Sequence, residues 1–222
     1  MTPLMTALLA GMILCYLVCG IPFGLVIAKM HGIDVRSVGS HNIGATNVGR
    51  SVGAKAALAT LIADAAKALL CMVLARQLVA HIAFGGDYAM TNPQTSFGWV
   101  SSLFYLACIC GHVFSPYLHF HGGKGISAGF GASLGLWAPL PLGLLVVFIC
   151  VVVPTRFVSA GSVAAAASLP FWALCFGFPS SALYGLVAAA CIVIWAHRGN
   201  IAKLARGEEK KFSFHHKEED KS

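Results

Sequence analysis

Seven apolar runs, at 4–28, 54–84, 97–118, 126–137, 142–153, 160–178 and 182–196, leave this chain little choice of surroundings. About twenty apolar residues cross the hydrocarbon core of a bilayer as a helix, because there every backbone polar group must be bonded within the segment. The fourth and fifth runs have 12 residues each. At the helical rise that is about 18 Å, so they predict stunted helices or a re-entrant pair shielded by protein. Charged residues make up only 10% of the chain, against about 25% in a soluble domain. The expectation is an all-α integral membrane protein of about seven transmembrane helices, the fourth and fifth short. Residues 1–206 read as one membrane-embedded domain and 207–222 as a charged, flexible tail. No Lys or Arg precedes the first run, which continues to residue 28, so it reads as a retained span, kinked near Pro22 and Gly24.

Counting seven crossings brings the segments 39–50, 122–125, 156–162 and the end at His197 to one membrane face. Lys29, Arg36, Arg50, Lys55, Lys124, Arg156 and the tail lie on that face, while the opposite connections carry Asp87 alone. The positive-inside rule makes that face cytoplasmic, with the N-terminus outside and the C-terminus cytoplasmic. The net charge of +7 is spread between apolar runs and not over a groove-forming domain, which argues against nucleic acid as a partner. The eight cysteines all fall inside apolar runs and read as small hydrophobes, none beside a histidine at metal-ligand spacing. No metal or other cofactor is expected.

The polar clusters carry the chemistry. In GSHNIGATNVGR, from Gly39 to Arg50, the side chains of Ser40, Asn42, Thr46 and Asn47 donate and accept hydrogen bonds. The glycines there permit close approach, and Arg50 brings a phosphate-matching fork of donors. Gly122, Gly123, Lys124 and Gly125 open an apolar helix, combining free backbone N–H groups, a positive dipole end and an ammonium. Lys124 is followed by glycine, so this is no Walker loop. His197 and Asn200 stand one turn apart at the end of the last run, where a histidine serves either as proton acceptor or as interfacial anchor. Asp64 and Lys67, at i, i+3 inside the second run, read equally as a functional pair or a packing pair. Arg76 is read as snorkelling to the outer face. His112, His119 and His121 read as interface residues. His215 and Asp220 form an H-x4-D spacing in the tail, without an apolar frame around it, and are taken as chance.

Four blocks together, DVRSVGSHNIGATNVGR, GHVFSPYLHFHGGKG, RFVSAGS and HRGNIAKLARGEEKKF, resemble the bacterial integral-membrane acyl-phosphate:glycerol-3-phosphate acyltransferases, in that family's order and over almost the whole chain. The resemblance implies transfer of a fatty acyl group from acyl phosphate to the sn-1 hydroxyl of glycerol 3-phosphate. The products would be lysophosphatidate and phosphate, made without metal or other cofactor by a monomer at the cytoplasmic face of the bacterial plasma membrane. It implies Ser40, Arg50, Lys124, His197 and Asn200 as catalytic residues. Substrate would be bound by Asn42, Thr46, Asn47, Gly122, Gly123, Gly125, Arg156, Ser159 and Ser162, and Glu209 matches a glutamate that looks structural. His41 departs from the family's glycine and Lys203 from its arginine. Since acyl phosphate is already activated, direct attack by the glycerol hydroxyl is expected, with His197 or a substrate phosphate taking the proton; an acyl-Ser40 enzyme is the competing route. A membrane carrier of organic phosphates would also cluster Arg, Lys and Gly at one face. It would add polar residues at mid-membrane and a repeated half, of which only Asp64 and Lys67 offer a trace.

Overall fold

A computed structural model describes residues 1–211 of the chain. Ten α-helices occur among these residues: α1 Pro3–Gly20, α2 Phe23–Met30, α3 Ala45–Ser51, α4 Ala54–Ala83, α5 Gly98–Val113, α6 Ile126–Leu136, α7 Leu140–Thr155, α8 Val158–Cys175, α9 Ser180–Ala196 and α10 Arg198–Ala205. The segments long and apolar enough to cross a membrane number four, or five if α9 and α10, bent 56° apart, count as one. The protein is therefore an all-helical, multi-pass membrane protein among its described residues; α6 and α7 are the shorter apolar helices.

The first apolar run breaks where Pro22 stands. A break at membrane depth frees carbonyls that lipid cannot satisfy. Here the Gly20 carbonyl accepts from Ser115 Oγ at 2.6 Å and the Ile21 carbonyl from Lys67 Nζ at 2.6 Å. Lys67 in turn lies 2.6 Å from Asp64 Oδ1 with both side chains buried. One lysine thus both neutralises a buried carboxylate and mends a broken span.

Helix α6 packs face to face with α4, and Gly131 is what permits it, since a Cβ there would run into the Ala65 backbone. At the far end of α6 stands Arg76. Snorkelling is the wrong description of it: the residue is buried, donates to the Gly135 carbonyl at 2.7 Å and the Leu136 carbonyl at 3.2 Å, and lies 4.5 Å from the Tyr88 ring centre. These are the carbonyls that a helix C-terminus leaves unpaired, and a cation is what that dipole end favours. The fifth run also differs from expectation, forming a helix of 16 residues. Pro141 sits in its first turn, where no amide is required, and Pro154 in its last, so neither proline shortens it.

Candidate active site

Residues of α3, α4, α5, α6, α7, α8 and α10, with His197 at the turn after α9, surround a polar basin of about 210 Å³, roofed by the loop before α3 and by residues that follow α10. Asn47 organises the loop. It is buried, its Oδ1 accepts from the Ser40 amide at 2.8 Å, and its Nδ2 donates to the carbonyls of Val35, Val38 and Asn42 at 2.9–3.1 Å. With both amide hydrogens committed, Asn47 shapes the basin wall more than it offers groups to a ligand. Gly39, at φ +63, lies so close to Asn47 Oδ1 that any side chain there would displace it. His41 keeps the left-handed backbone expected of glycine, φ +58, and its Nδ1 bonds to the Arg36 carbonyl at 2.9 Å. Asp34 supports the same turn, its carboxyl held well below the usual range chiefly by the Arg36 guanidinium.

The second wall is the loop entering α6. The Gly122 and Gly123 amides are not free: they donate to the Val113 and His112 carbonyls at 2.9 and 3.0 Å, folding the loop back on the end of α5. Neither glycine lines the basin, and the anion-binding recipe falls instead to Lys124 with the first turn of α6, where Gly125, Ile126 and Ser127 do line it. Gly123 is close-packed against the His112 ring, so that a Cβ would collide with Nε2.

Lys124 Nζ donates to Asn200 Oδ1; Asn200 Nδ2 donates to Glu209 Oε1 at 2.8 Å, and Ser159 Oγ donates to the same oxygen at 2.7 Å. Three segments distant in sequence, around Lys124, Ser159 and 200–209, are tied by this chain. Burial pushes the Lys124 ammonium below its ordinary 10.5, opposed by Glu209 and reinforced by Lys203 and Arg50. His197 is buried, with Nδ1 against the Val193 carbonyl at 2.8 Å. That partner accepts only, so Nδ1 carries the proton and Nε2 is left as an acceptor. Burial lowers its pKa from the ordinary 6.5; Val193 opposes this and Lys124 adds to it.

Ser40, Asn42, Thr46, Arg50 and Ser162 also line the basin. Arg156 does not; it is exposed and ends α7 in a left-handed conformation at φ +62. Four titratable lining residues escaped sequence reasoning as site members: Asp64, His112, Glu209 and Lys210. A buried charge in an apolar run was the available signal for Asp64. His112 had none, because nothing along the chain places it opposite Asp64. His215 and Asp220 lie outside the described residues.

Behind the basin runs an apolar groove of about 300 Å³ between α4, α5, α6, α7, α8 and α9. Leu61, Gly125, Ile126, Ser127 and Phe148 belong to both cavities, so the polar and apolar spaces meet at these residues. The arrangement accommodates an anionic head and an acyl tail on the two sides of one junction.

A family model described as glycerol-3-phosphate acyltransferase matches residues 9–207. The chain is similar to the glycerol-3-phosphate acyltransferase of Trichlorobacter lovleyi, 42% identical over 94% of this chain and 99% of the relative. It is also similar to that of Geobacter sulfurreducens, 38% identical over 89% and 93%. Among solved structures it resembles PlsY, an integral membrane glycerol 3-phosphate acyltransferase, in its glycerol 3-phosphate form. The TM-score is 0.78 and the identity 30%, over 93% of this chain and 96% of that one. The lysophosphatidic acid form of PlsY gives the same score and identity.

Proposed function

The chain belongs to the glycerol-3-phosphate acyltransferase family, and from that premise we propose how its basin and groove carry out the reaction. The enzyme transfers an acyl group to glycerol 3-phosphate and yields lysophosphatidate. The donor is acyl phosphate. Its chain lies in the apolar groove, its phosphate rests against Lys124 and the first turn of α6, and its carbonyl sits at the junction. The continuity of groove and basin through Leu61, Ile126 and Phe148 carries this reading.

Arg50 and Lys124 hold the two anionic substrates and stabilise the charge that gathers on the departing phosphate. Asn200 holds Lys124 directly and is itself held by Glu209, which Ser159 also bonds, and Ser40 and Ser162 offer hydroxyls to the substrates. His197, neutral by its burial, presents Nε2 to a glycerol hydroxyl and orients it. Direct attack of the sn-1 hydroxyl suits a donor already activated as a mixed anhydride. A serine nucleophile needs an adjacent base, and among the described residues Ser40 is bonded through its amide to Asn47 only.

The apolar segments make about seven transmembrane helices, α6 and α7 being the short pair, with the N-terminus outside and the basin facing the cytoplasm at the plasma membrane; the basic residues around the basin support that orientation. The enzyme acts as a monomer. Purified protein supplied with acyl phosphate and glycerol 3-phosphate tests the donor. Lysophosphatidate and inorganic phosphate should form in equal amounts, and turnover only with an acyl thioester would overturn the donor assignment.

A further inference from the structure

Of the residues that line both the basin and the groove, Leu61, Gly125, Ile126, Ser127 and Phe148, Ser127 alone carries a polar side chain. It stands in the first turn of α6, three residues after Lys124, behind a loop that the Gly122 and Gly123 amides tie back to the end of α5. A hydroxyl inside an apolar helix ordinarily turns back onto the carbonyl three or four residues earlier. Thr60, Ser133 and Ser168 do so here, at 2.9, 2.8 and 2.9 Å. The other polar side chain of the groove, Tyr105, is spent on the Gly129 carbonyl at 3.3 Å. Among the described residues Ser127 Oγ makes no hydrogen bond.

We propose that Ser127 is a catalytic residue whose hydroxyl donates a hydrogen bond to the carbonyl oxygen of the acyl donor as negative charge gathers there. This rests on the reaction assigned above, in which the donor's phosphate lies at Lys124 and its carbonyl at the junction. The sn-1 oxygen forms its bond to the acyl carbon, and the carbonyl π pair moves onto the oxygen that Ser127 Oγ–H meets. The carbonyl then re-forms, the bond from the acyl carbon to the phosphate oxygen breaks, and that oxygen keeps the electron pair. The proton of the attacking hydroxyl ends on the released phosphate. Ser127 gives up no proton and forms no covalent bond, so each turnover leaves it unchanged.

The setting suits that role. Leu61, Ile126 and Phe148 give the junction apolar walls, and a donor shielded from water stabilises developing charge more than it would in solvent. Lys124 and Arg50 are left to the two phosphates. Since its hydroxyl is uncommitted in the resting enzyme, Ser127 breaks no bond to meet the charged oxygen. The loop before α6 is already folded back on α5, so the donor is in place before substrate arrives.

The test compares kcat and both KM values of the purified full chain, supplied with acyl phosphate and glycerol 3-phosphate, in wild type, Ser127→Ala, Ser127→Thr and Ser133→Ala. Ser127→Ala should lower kcat about 10- to 100-fold, the worth of one hydrogen bond to a charged oxygen. Both of its KM values should stay within about threefold of wild type, as for a contact made in the transition state alone. Its Tm should match that of wild type, because the hydroxyl bonds nothing in the resting protein. Ser127→Thr keeps the hydroxyl and should restore most of kcat. Ser133→Ala removes a back-bonded hydroxyl from the same helix and should turn over as wild type does. An alkyl phosphate, which lacks the carbonyl, should inhibit wild type and Ser127→Ala with equal Ki. Wild-type kcat in Ser127→Ala, a loss confined to KM, or a Ser127→Thr as slow as Ser127→Ala would overturn the assignment. A wild type without turnover would sink the reaction itself, whereas failure of the Ser127 role alone leaves wild-type turnover intact.

Discussion

Lys124 and Asn47 show how differently two polar residues of one basin act. Lys124 lines the basin from a half-buried position and is proposed to hold substrate phosphate, so Lys124→Ala should lower kcat/KM by about 100- to 1,000-fold, the usual loss when a charge-stabilising donor is removed from a site. A steady-state assay checks this. Asn47 spends four hydrogen bonds on the loop. Asn47→Ala should therefore cost about 2–4 kcal/mol of stability, at roughly 1 kcal/mol net per bond, and lower Tm in detergent along with activity. His197 supplies a pH dependence. Its folded pKa lies below the ordinary 6.5, so between those two values the unfolded state binds more protons and stability rises with pH. That contribution is complete above the unfolded value and is lost as pH falls through the folded one. Thermal unfolding across this range should show a shallower acid decline in His197→Gln than in wild type.

At the scale of elements, α6 carries the chemistry at one end and is held at the other. Its first turn faces the basin, its middle rests on α4 at Gly131, and Arg76 binds its last carbonyls. Arg76→Ala should leave those carbonyls buried without donors, costing about 2 kcal/mol or more. Activity should fall through a helix that no longer fixes Lys124, although Arg76 touches no part of the basin. Thermal unfolding and turnover of the same preparation measure both effects. Pro22 shows a related device: the broken helix is completed by Ser115 and Lys67 from other segments. Neither arrangement was legible in the sequence, since the partners are backbone carbonyls brought near by packing. The long apolar helices were legible because lipid admits so few alternatives; the ends of the fifth run were misread, where terminal prolines were taken as breaks, and the short helices α3 and α10 were not read as helices.

The whole molecule is a membrane bundle with one mixed cavity, polar at its end and apolar within. Ser40, Arg50, Lys124, His197 and Asn200 could be read as a site because each stands in a polar cluster at the edge of an apolar run, and the crossings bring such edges together. Asp64 and His112 could not be paired in advance, being on different helices with apolar sequence between them. The groove should set chain-length preference: Ala166→Phe, which fills part of it, should slow long-chain acyl phosphates more than short ones in parallel assays. The junction of groove and basin is the centre of the account. It is tested most directly by rapid quenching of purified enzyme mixed with radiolabelled acyl phosphate and glycerol 3-phosphate. Label should pass straight from acyl phosphate to lysophosphatidate, with phosphate released in equal amount and no label held on protein. A protein-bound acyl group formed and consumed at the rate of turnover would contradict it.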